Sequence, residues 1–205
     1  MPAKDDGLVS RYLNRRFSQP LSAGILRIWP NCDPNLVSIF SAVFGFMGAV
    51  AFWAYQPVLG GILIQLSSIV DGSDGEIARA TGKVTYFGGF FDSILDRYVD
   101  FAVLGAMASF SFLFLSPQWV LLLATTSFSG SFLVSYSAAK AEAKEGLRFS
   151  RTIQGRDTRL FLVFLAGVSS ILTFWTIPLC LILITVLTHG TVFLRVFQVK
   201  NSLNV

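Results

Sequence analysis

Every Asp, Glu, Lys and Arg of this 205-residue chain falls in one of four blocks, residues 4–33, 71–100, 140–159 and 195–200, and the stretches between them carry no charge. Each uncharged stretch would run roughly 50–60 Å as α-helix at 1.5 Å per residue. A bilayer's hydrocarbon core is only about 30 Å thick and needs ~20 helical residues. Each stretch is therefore too long for one span and right for two. Turn signals sit near the middle of each, at Gln56-Pro57, Ser116-Pro117-Gln118 and Thr176-Ile177-Pro178,. Trp53, Tyr55, Trp119 and Trp175 gather at the same places, as interfacial aromatics do,. The pattern predicts an all-α integral membrane protein of three helical hairpins, six transmembrane helices in all. Composition agrees: 14% of residues are charged, against about 25% in soluble domains. This excludes a disordered chain, a coiled coil and a disulfide scaffold, and Cys32 and Cys180 fit no disulfide framework or metal knuckle,.

All 16 Lys and Arg residues lie on one side of that arrangement. The positive-inside rule then puts both termini and the inter-hairpin loops in the cytoplasm, for a multi-pass protein of the plasma membrane. The net charge of +4 is read as topology, so nucleic acid is not an expected partner. Within residues 6–29, Leu8, Val9, Tyr12, Leu13, Phe17, Leu21, Ile25 and Leu26 recur at helical spacing against Arg11, Asn14, Arg15 and Ser18. This is an amphipathic juxtamembrane helix on the cytoplasmic interface with Pro20 as a candidate kink; a helix packed on another soluble domain is the alternative. The expected organisation is an interfacial helix over 1–33, a six-span catalytic domain over 34–197 and a cytoplasmic tail over 198–205.

Acids cluster where the apolar runs end. Asp71 and Asp74 stand i, i+3 at the end of the second span, and Asp92 and Asp96 stand i, i+4 at the start of the third. Both spacings put a pair on one helix face, and a turn around residues 81–85 makes the two helices antiparallel neighbours. Ionisable groups at membrane depth are functional candidates by default. Four clustered carboxylates repel unless protonated or joined by cations, and a set of hard oxygens without His or Cys suits magnesium or manganese. Two divalent ions would balance four carboxylates, and dinuclear sites of this kind catalyse displacement at phosphorus. Gly72, Gly75, Gly88 and Gly89 keep side chains away from the acids, and Arg79 faces the same way as Asp71 and suits a phosphate. The competing reading is ordinary loop ion pairs with Arg79, Lys83 and Arg97.

The run from Asp71 to Asp96 matches D-x2-D-G-x2-A-R-x8-G-x3-D-x3-D at every fixed position: Asp71, Asp74, Gly75, Ala78, Arg79, Gly88, Asp92 and Asp96. It resembles the signature of the CDP-alcohol phosphotransferase family, and Pro34-Asn35 resembles that family's entry to the first span. The resemblance implies transfer of a phosphoryl-alcohol group from a CDP-alcohol donor to an acceptor hydroxyl with release of CMP. It implies metal ligation by Asp71, Asp74 and Asp92, with Asp96 a metal neighbour and general base. It also implies nucleotide contacts at Asp71, Asp74, Gly75, Ala78 and Arg79, and a homodimer. Residues 8–16 and Tyr98-Val99-Asp100 are similar to the branch that uses inositol phosphate. Tyr136–Glu142 and Gly155–Arg159 resemble the region where such members bind the acceptor's phosphate, which nominates Lys140, Arg151, Arg156 and Arg159. Some members of that branch begin with a cytidylyltransferase domain. The start at Met1-Pro2-Ala3-Lys4 leads to the expectation that a separate protein makes the CDP-alcohol here.

The acceptor expected on this reading is a phosphorylated polyol such as inositol phosphate. The same reaction with CDP-diacylglycerol or CDP-archaeol and glycerol phosphate or another small alcohol is the alternative. From other classes, a cation transporter would need acids deeper in the spans, which the uncharged stretches lack; a non-catalytic lipid-binding protein would not need Asp96. His189, Ser127, Ser129, Gly130, Ser131, Gly45, Gly48, Gly60 and Gly61 are read as helix-packing residues.

Overall fold

The computed structural model describes residues 9–145 and 155–202, and among these every regular element is a helix. A π-helical turn, Ser10–Asn14, leads into α1 (Arg15–Ile28); α2 (Pro34–Trp53), α3 (Pro57–Thr81), α4 (Tyr86–Phe110), α5 (Pro117–Glu145), α6 (Arg156–Ser169) and α7 (Thr176–Ser202) follow. Pro34, Pro57 and Pro117 open their helices, where a missing N–H and a fixed φ cost nothing,. Gly82, at φ +69°, closes α3 in the left-handed conformation that a side chain would disfavour,. Thr85 then caps α4, its side chain accepting from the Gly88 N–H,.

The breaks at 54–56, 111–116 and 170–175 fall near the expected turns. They meet at one end of the bundle on an aromatic cluster: Tyr55 and Phe110 have ring centroids 5.5 Å apart, Phe110 and Phe174 5.7 Å, and Phe114 and Trp175 4.9 Å. The third break precedes Thr176 instead of spanning Thr176-Ile177-Pro178, so Pro178 lies in the first turn of α7. It leaves α6 with 14 residues, about 21 Å of helix.

Three helical segments, Pro34–Trp53, Pro117–Ala143 and Thr176–Asn201, are individually long and apolar enough to cross a membrane. The other three helices of the hairpins fall short for visible reasons. α3 and α4 carry the acids within their own length, and α6 is short.

Helices α3 and α4 both pack on α2, α6 and α1 lie on α3, and α5 pairs with α7 while touching α4. The core contains Phe52, Ile64, Val103, Met107, Phe110, Val163, Ile177, Leu181 and Ile184. In lipid, apolar burial drives helix association weakly, so close approach at small residues does the work. A Cβ on Gly48 would meet Ile64 at 2.7 Å, one on Gly60 would meet Phe52 at 2.6 Å, and one on Gly61 would meet the Phe164 carbonyl at 2.9 Å. Gly130 is closed in the same way by Thr188, and the Nε2 of His189 lies 3.0 Å from the Thr126 carbonyl. Cys32 is buried in the turn before α2, and that burial pushes its thiol pKa up, which keeps it unreactive,.

α1 packs the opposite way round from a soluble amphipathic helix. Its buried residues are Ser18 and Ser22, preceded by buried Asn14, while Tyr12 is 70% and Phe17 53% exposed. The polar side is stitched to α3: Asn14 donates to Ser68 Oγ at 2.8 Å and accepts from Gln65 Nε2 at 2.9 Å, and Ser18 donates to Glu76 at 2.9 Å. The apolar stripe is left for the surroundings, which suits a lipid interface. Pro20 lies inside the helix without ending it.

Candidate active site

The end of the bundle opposite the aromatic cluster holds the acids. Thr81 ends α3 and Tyr86 starts α4, so a tight turn returns the chain, and α2, packed on both helices, holds them so that their carboxylates approach one another. Asp71, Asp74 and Asp92 each bring a carboxylate oxygen to within 4.8 Å of the other two. Two oxygens sharing one ion at magnesium-like bond lengths of about 2.1 Å lie no more than ~4 Å apart, so small side-chain rotations would bring all three acids onto one ion. The donors are all hard oxygens. The three acids could hold a divalent cation.

Hydroxyls hold the acids from the neighbouring helix. Ser38 Oγ donates to Asp74 Oδ2, and Ser41 Oγ lies 3.2 Å from Asp71 Oδ1. On the other flank, Ser22 Oγ lies 2.7 Å from Glu76 Oε2. Lys83 is turned away from the acids, donating to the carbonyls of Asn31 and Cys32 at 2.8 and 3.3 Å.

Asp96 lies outside the three-acid group. Its Oδ1 is 2.7 Å from Arg156 Nη1, and the same nitrogen is 2.7 Å from Asp71 Oδ2. Neither contact has hydrogen-bond alignment, so the attraction is chiefly coulombic. Arg97, whose side chain is on the same turn, adds a looser contact to Asp96 at 3.5 Å. Arg156 was expected at the acceptor's phosphate; here the first residue of α6 bridges α3 and α4 through their carboxylates.

Arg159, expected in the same role, is buried and committed elsewhere. Its Nη2 donates to Asp100 Oδ2 at 2.8 Å, Ser131 Oγ donates to the same oxygen at 3.0 Å, and Asp100 and Arg159 are only 4% and 5% exposed. Ser131 therefore does more than help helices pack. Lys140 is exposed on α5, its Nζ 5.9 Å from the ring centroid of Tyr136, and Arg151 lies outside the described residues. Two participants have no site role in the sequence reading: Asp100, which continues the i+4 series from Asp92 and Asp96, and Arg195 of α7. Arg195 Nη1 donates to Ser137 Oγ at 3.0 Å and to the Val134 carbonyl.

A cleft of ≈ 930 Å³ opens over these groups, with walls from α1, α3, α4, α5, α6 and α7. That is the upper range for a small-molecule site and is roomy enough for a nucleotide with a second small molecule. Gly75 and Arg79 line it, and Arg79 Nη1 lies 3.3 Å from where a Cβ on Gly75 would sit. A side chain at position 75 would thus press on the guanidinium as well as narrow the cleft. Arg156, Arg195 and Tyr136 line it as well.

Relatives share this frame. The chain is 33% identical over 202 residues to a bifunctional IPC transferase and DIPP synthase of Aquifex aeolicus, covering 95% of this chain and 44% of that protein. A counterpart in Archaeoglobus fulgidus is 39% identical over 181 residues, and there the chain spans 35% of the relative. The chain thus spans less than half the length of these relatives. An archaetidylinositol phosphate synthase of Pyrococcus horikoshii is 30% identical, with 83% of this chain and 85% of that protein covered. Among solved structures, Mycobacterium tuberculosis phosphatidylinositol phosphate synthase with CDP-DAG bound superposes with a TM-score of 0.74 at 26% identity, over 90% of this chain and 94% of that one. The same enzyme has been solved with manganese and citrate; that structure has a TM-score of 0.72 at 24% identity and covers 88% of this chain and 87% of its own. With its apolar helices, the chain is a membrane protein. Residues 32–196 match the CDP-alcohol phosphatidyltransferase family, and the chain belongs to it.

Proposed function

We propose that the protein transfers a phosphoryl-alcohol group from a CDP-alcohol to the hydroxyl of a phosphorylated polyol, of which inositol phosphate is the model case, and releases CMP. The observation that carries the reading is the convergence of Asp71, Asp74 and Asp92 within 4.8 Å, beside Asp96 on the next turn of α4. The relatives named for inositol-phosphate products support the choice of acceptor.

The reaction is a displacement at the phosphorus that bears the donor alcohol. The acceptor oxygen forms a bond to that phosphorus, the bond from it to the bridging oxygen breaks, and CMP leaves with that oxygen. The acceptor's proton goes to Asp96, because a hydroxyl is far too weak an acid to react unaided near neutral pH. Asp71, Asp74 and Asp92, with Asp96 as a neighbour, would hold two divalent cations, Mg2+ or Mn2+. Such ions, when bound, neutralise charge growing on the phosphate oxygens and orient the pyrophosphate. Asp71, Asp74, Gly75, Ala78 and Arg79 border the nucleotide, with Gly75 giving a flat group room against α3. Arg156 turns from its carboxylates to the acceptor's phosphate, aided by Lys140 and Arg151, while Arg159 stays paired with Asp100. An Arg fork suits the two oxygens of a phosphate.

A second reading keeps the chemistry but gives the donor a lipid tail, as in CDP-diacylglycerol or CDP-archaeol. It is favoured by Ile94 and Phe132, which bring apolar side chains to the cleft wall. In either case the working arrangement is six spans over residues 34–197, an interfacial helix over 1–33, a tail over 198–205, both termini in the cytoplasm and a homodimer in the plasma membrane. Purified protein incubated with Mg2+ or Mn2+, a panel of CDP-alcohols and phosphorylated or plain polyols should release CMP only when donor, acceptor and metal are all present. CMP release indifferent to the acceptor's phosphate would overturn the choice of acceptor, and none from any pair would overturn the reaction.

A further inference from the structure

Two serines of α2 face two acids of α3 in register. Ser38 Oγ donates to Asp74 Oδ2, and Ser41 Oγ approaches Asp71 Oδ1 at 3.2 Å. The helices run antiparallel and both pairs are spaced i, i+3, so the earlier serine meets the later acid. Deeper in the bundle the seam continues with Ser67 Oγ donating to the Ser41 carbonyl at 2.8 Å. It continues further at Gly45, where a Cβ would lie 2.5 Å from Val99 Cγ1 and 3.2 Å from Ser67 Oγ. The absence of a side chain at Gly45 brings α2 close enough to α3 and α4 for a hydroxyl one carbon from the backbone to reach a carboxylate.

Packing alone does not require these hydroxyls, since alanine fills the same space less one atom. Both serines are buried, and a buried hydroxyl costs free energy unless it is bonded. Ser41 has a choice of acceptor, with the Ser67 carbonyl at 3.0 Å. The hydroxyl thus lies within hydrogen-bond reach of both that carbonyl and Asp71 Oδ1. Each hydroxyl engages one oxygen of its acid and restrains the side-chain rotamer, and the second oxygen of Asp71 lies 2.7 Å from Arg156 Nη1.

We infer that Ser38 and Ser41 are positioning residues, whose hydroxyls pre-set Asp74 and Asp71 for cation binding. The inference rests on the acids being a cation site, as proposed above. Groups that orient metal ligands from behind typically change metal affinity 10–100-fold when removed.

The test is Mn2+ titration of the full-length protein in detergent micelles, with free Mn2+ read from its electron paramagnetic resonance signal. Ser38→Ala and Ser41→Ala should each weaken Mn2+ binding about 10–100-fold, and Ser38→Thr, which keeps the hydroxyl, should bind close to wild type. Ser127→Ala, which removes an equally buried hydroxyl bonded only to its own helix, should leave Mn2+ affinity unchanged. A general loss of packing would make the two kinds of alanine variant alike. Wild-type affinity in both Ser38→Ala and Ser41→Ala, with Asp92→Ala still impaired, overturns the positioning role and leaves the cation site standing. Equal Mn2+ binding by wild type and Asp92→Ala overturns the cation site and the positioning role together.

Discussion

Arg156 Nη1 stands 2.7 Å from Asp96 Oδ1, so the proposed base and a residue proposed to grip the acceptor's phosphate are in direct contact. The pair spans α6 and α4, and its geometry links acceptor capture to proton transfer. A phosphate that draws the guanidinium toward itself leaves Asp96 free to take the acceptor's proton.

Asp96→Asn keeps the shape and removes the basicity. Loss of a general base typically costs 10²–10⁴ in rate, so kcat should fall by about two to four orders of magnitude. Because Asp96 lies outside the three-acid group, Mn2+ and CDP-alcohol should still bind. Turnover at the wild-type rate would remove Asp96 from the role of base.

Arg156→Ala should act on the two substrates unequally. A hydrogen bond to a charged group is worth about 1.5–3 kcal/mol, which corresponds to roughly 10–150-fold in binding. The KM for a phosphorylated acceptor should rise by that factor while the KM for the CDP-alcohol changes little. Steady-state kinetics with each substrate varied in turn checks this, and equal rises in both constants would place Arg156 elsewhere in the reaction.

The end of the bundle that carries the chemistry was legible because its signals are local. Asp71 with Asp74, and Asp92 with Asp96, announce a shared face by spacing alone, and the short turn between them dictates that the faces meet. The resemblance of Gly155–Arg159 to an acceptor-phosphate region points to Arg156 and Arg159, but not to their partners. Arg159 reaches Asp100 across 59 residues, and no periodicity encodes how α6, docked on α3, turns its arginines toward α4. The positive-inside bias also supplies basic residues to every cytoplasmic loop, so a functional arginine does not stand out. Amphipathicity was readable in α1, but not which face would be covered. Burying Asn14, Ser18 and Ser22 makes sense only once Gln65, Ser68 and Glu76 line the opposing face of α3.

The Asp100–Arg159 pair tests that docking directly. Both groups are almost fully buried, so removing one partner strands the other's charge, which typically costs about 3–5 kcal/mol. Arg159→Met should lower the thermal midpoint in detergent markedly. Adding Asp100→Leu should recover part of the loss, because two apolar groups leave no unpaired charge. A double variant less stable than Arg159→Met alone would mean that Asp100 is held chiefly by Ser131 and Arg97.

Metal removal should be visible in stability as well as in activity. Asp71, Asp74 and Asp92 repel one another, and Arg156 supplies only one positive charge against Asp71 and Asp96. A cation bound among the three acids relieves the repulsion in the folded state alone. Ligand at a hundred times its Kd stabilises the folded form by about 2.7 kcal/mol. Saturating Mn2+ should therefore raise the thermal midpoint of wild type, and a chelator should reverse the rise. Asp92→Ala carries one carboxylate fewer, so its metal-free midpoint should match or exceed that of wild type, while its response to Mn2+ should be largely lost. An undiminished Mn2+ response in Asp92→Ala would mean that the stabilising ion sits somewhere other than between α3 and α4.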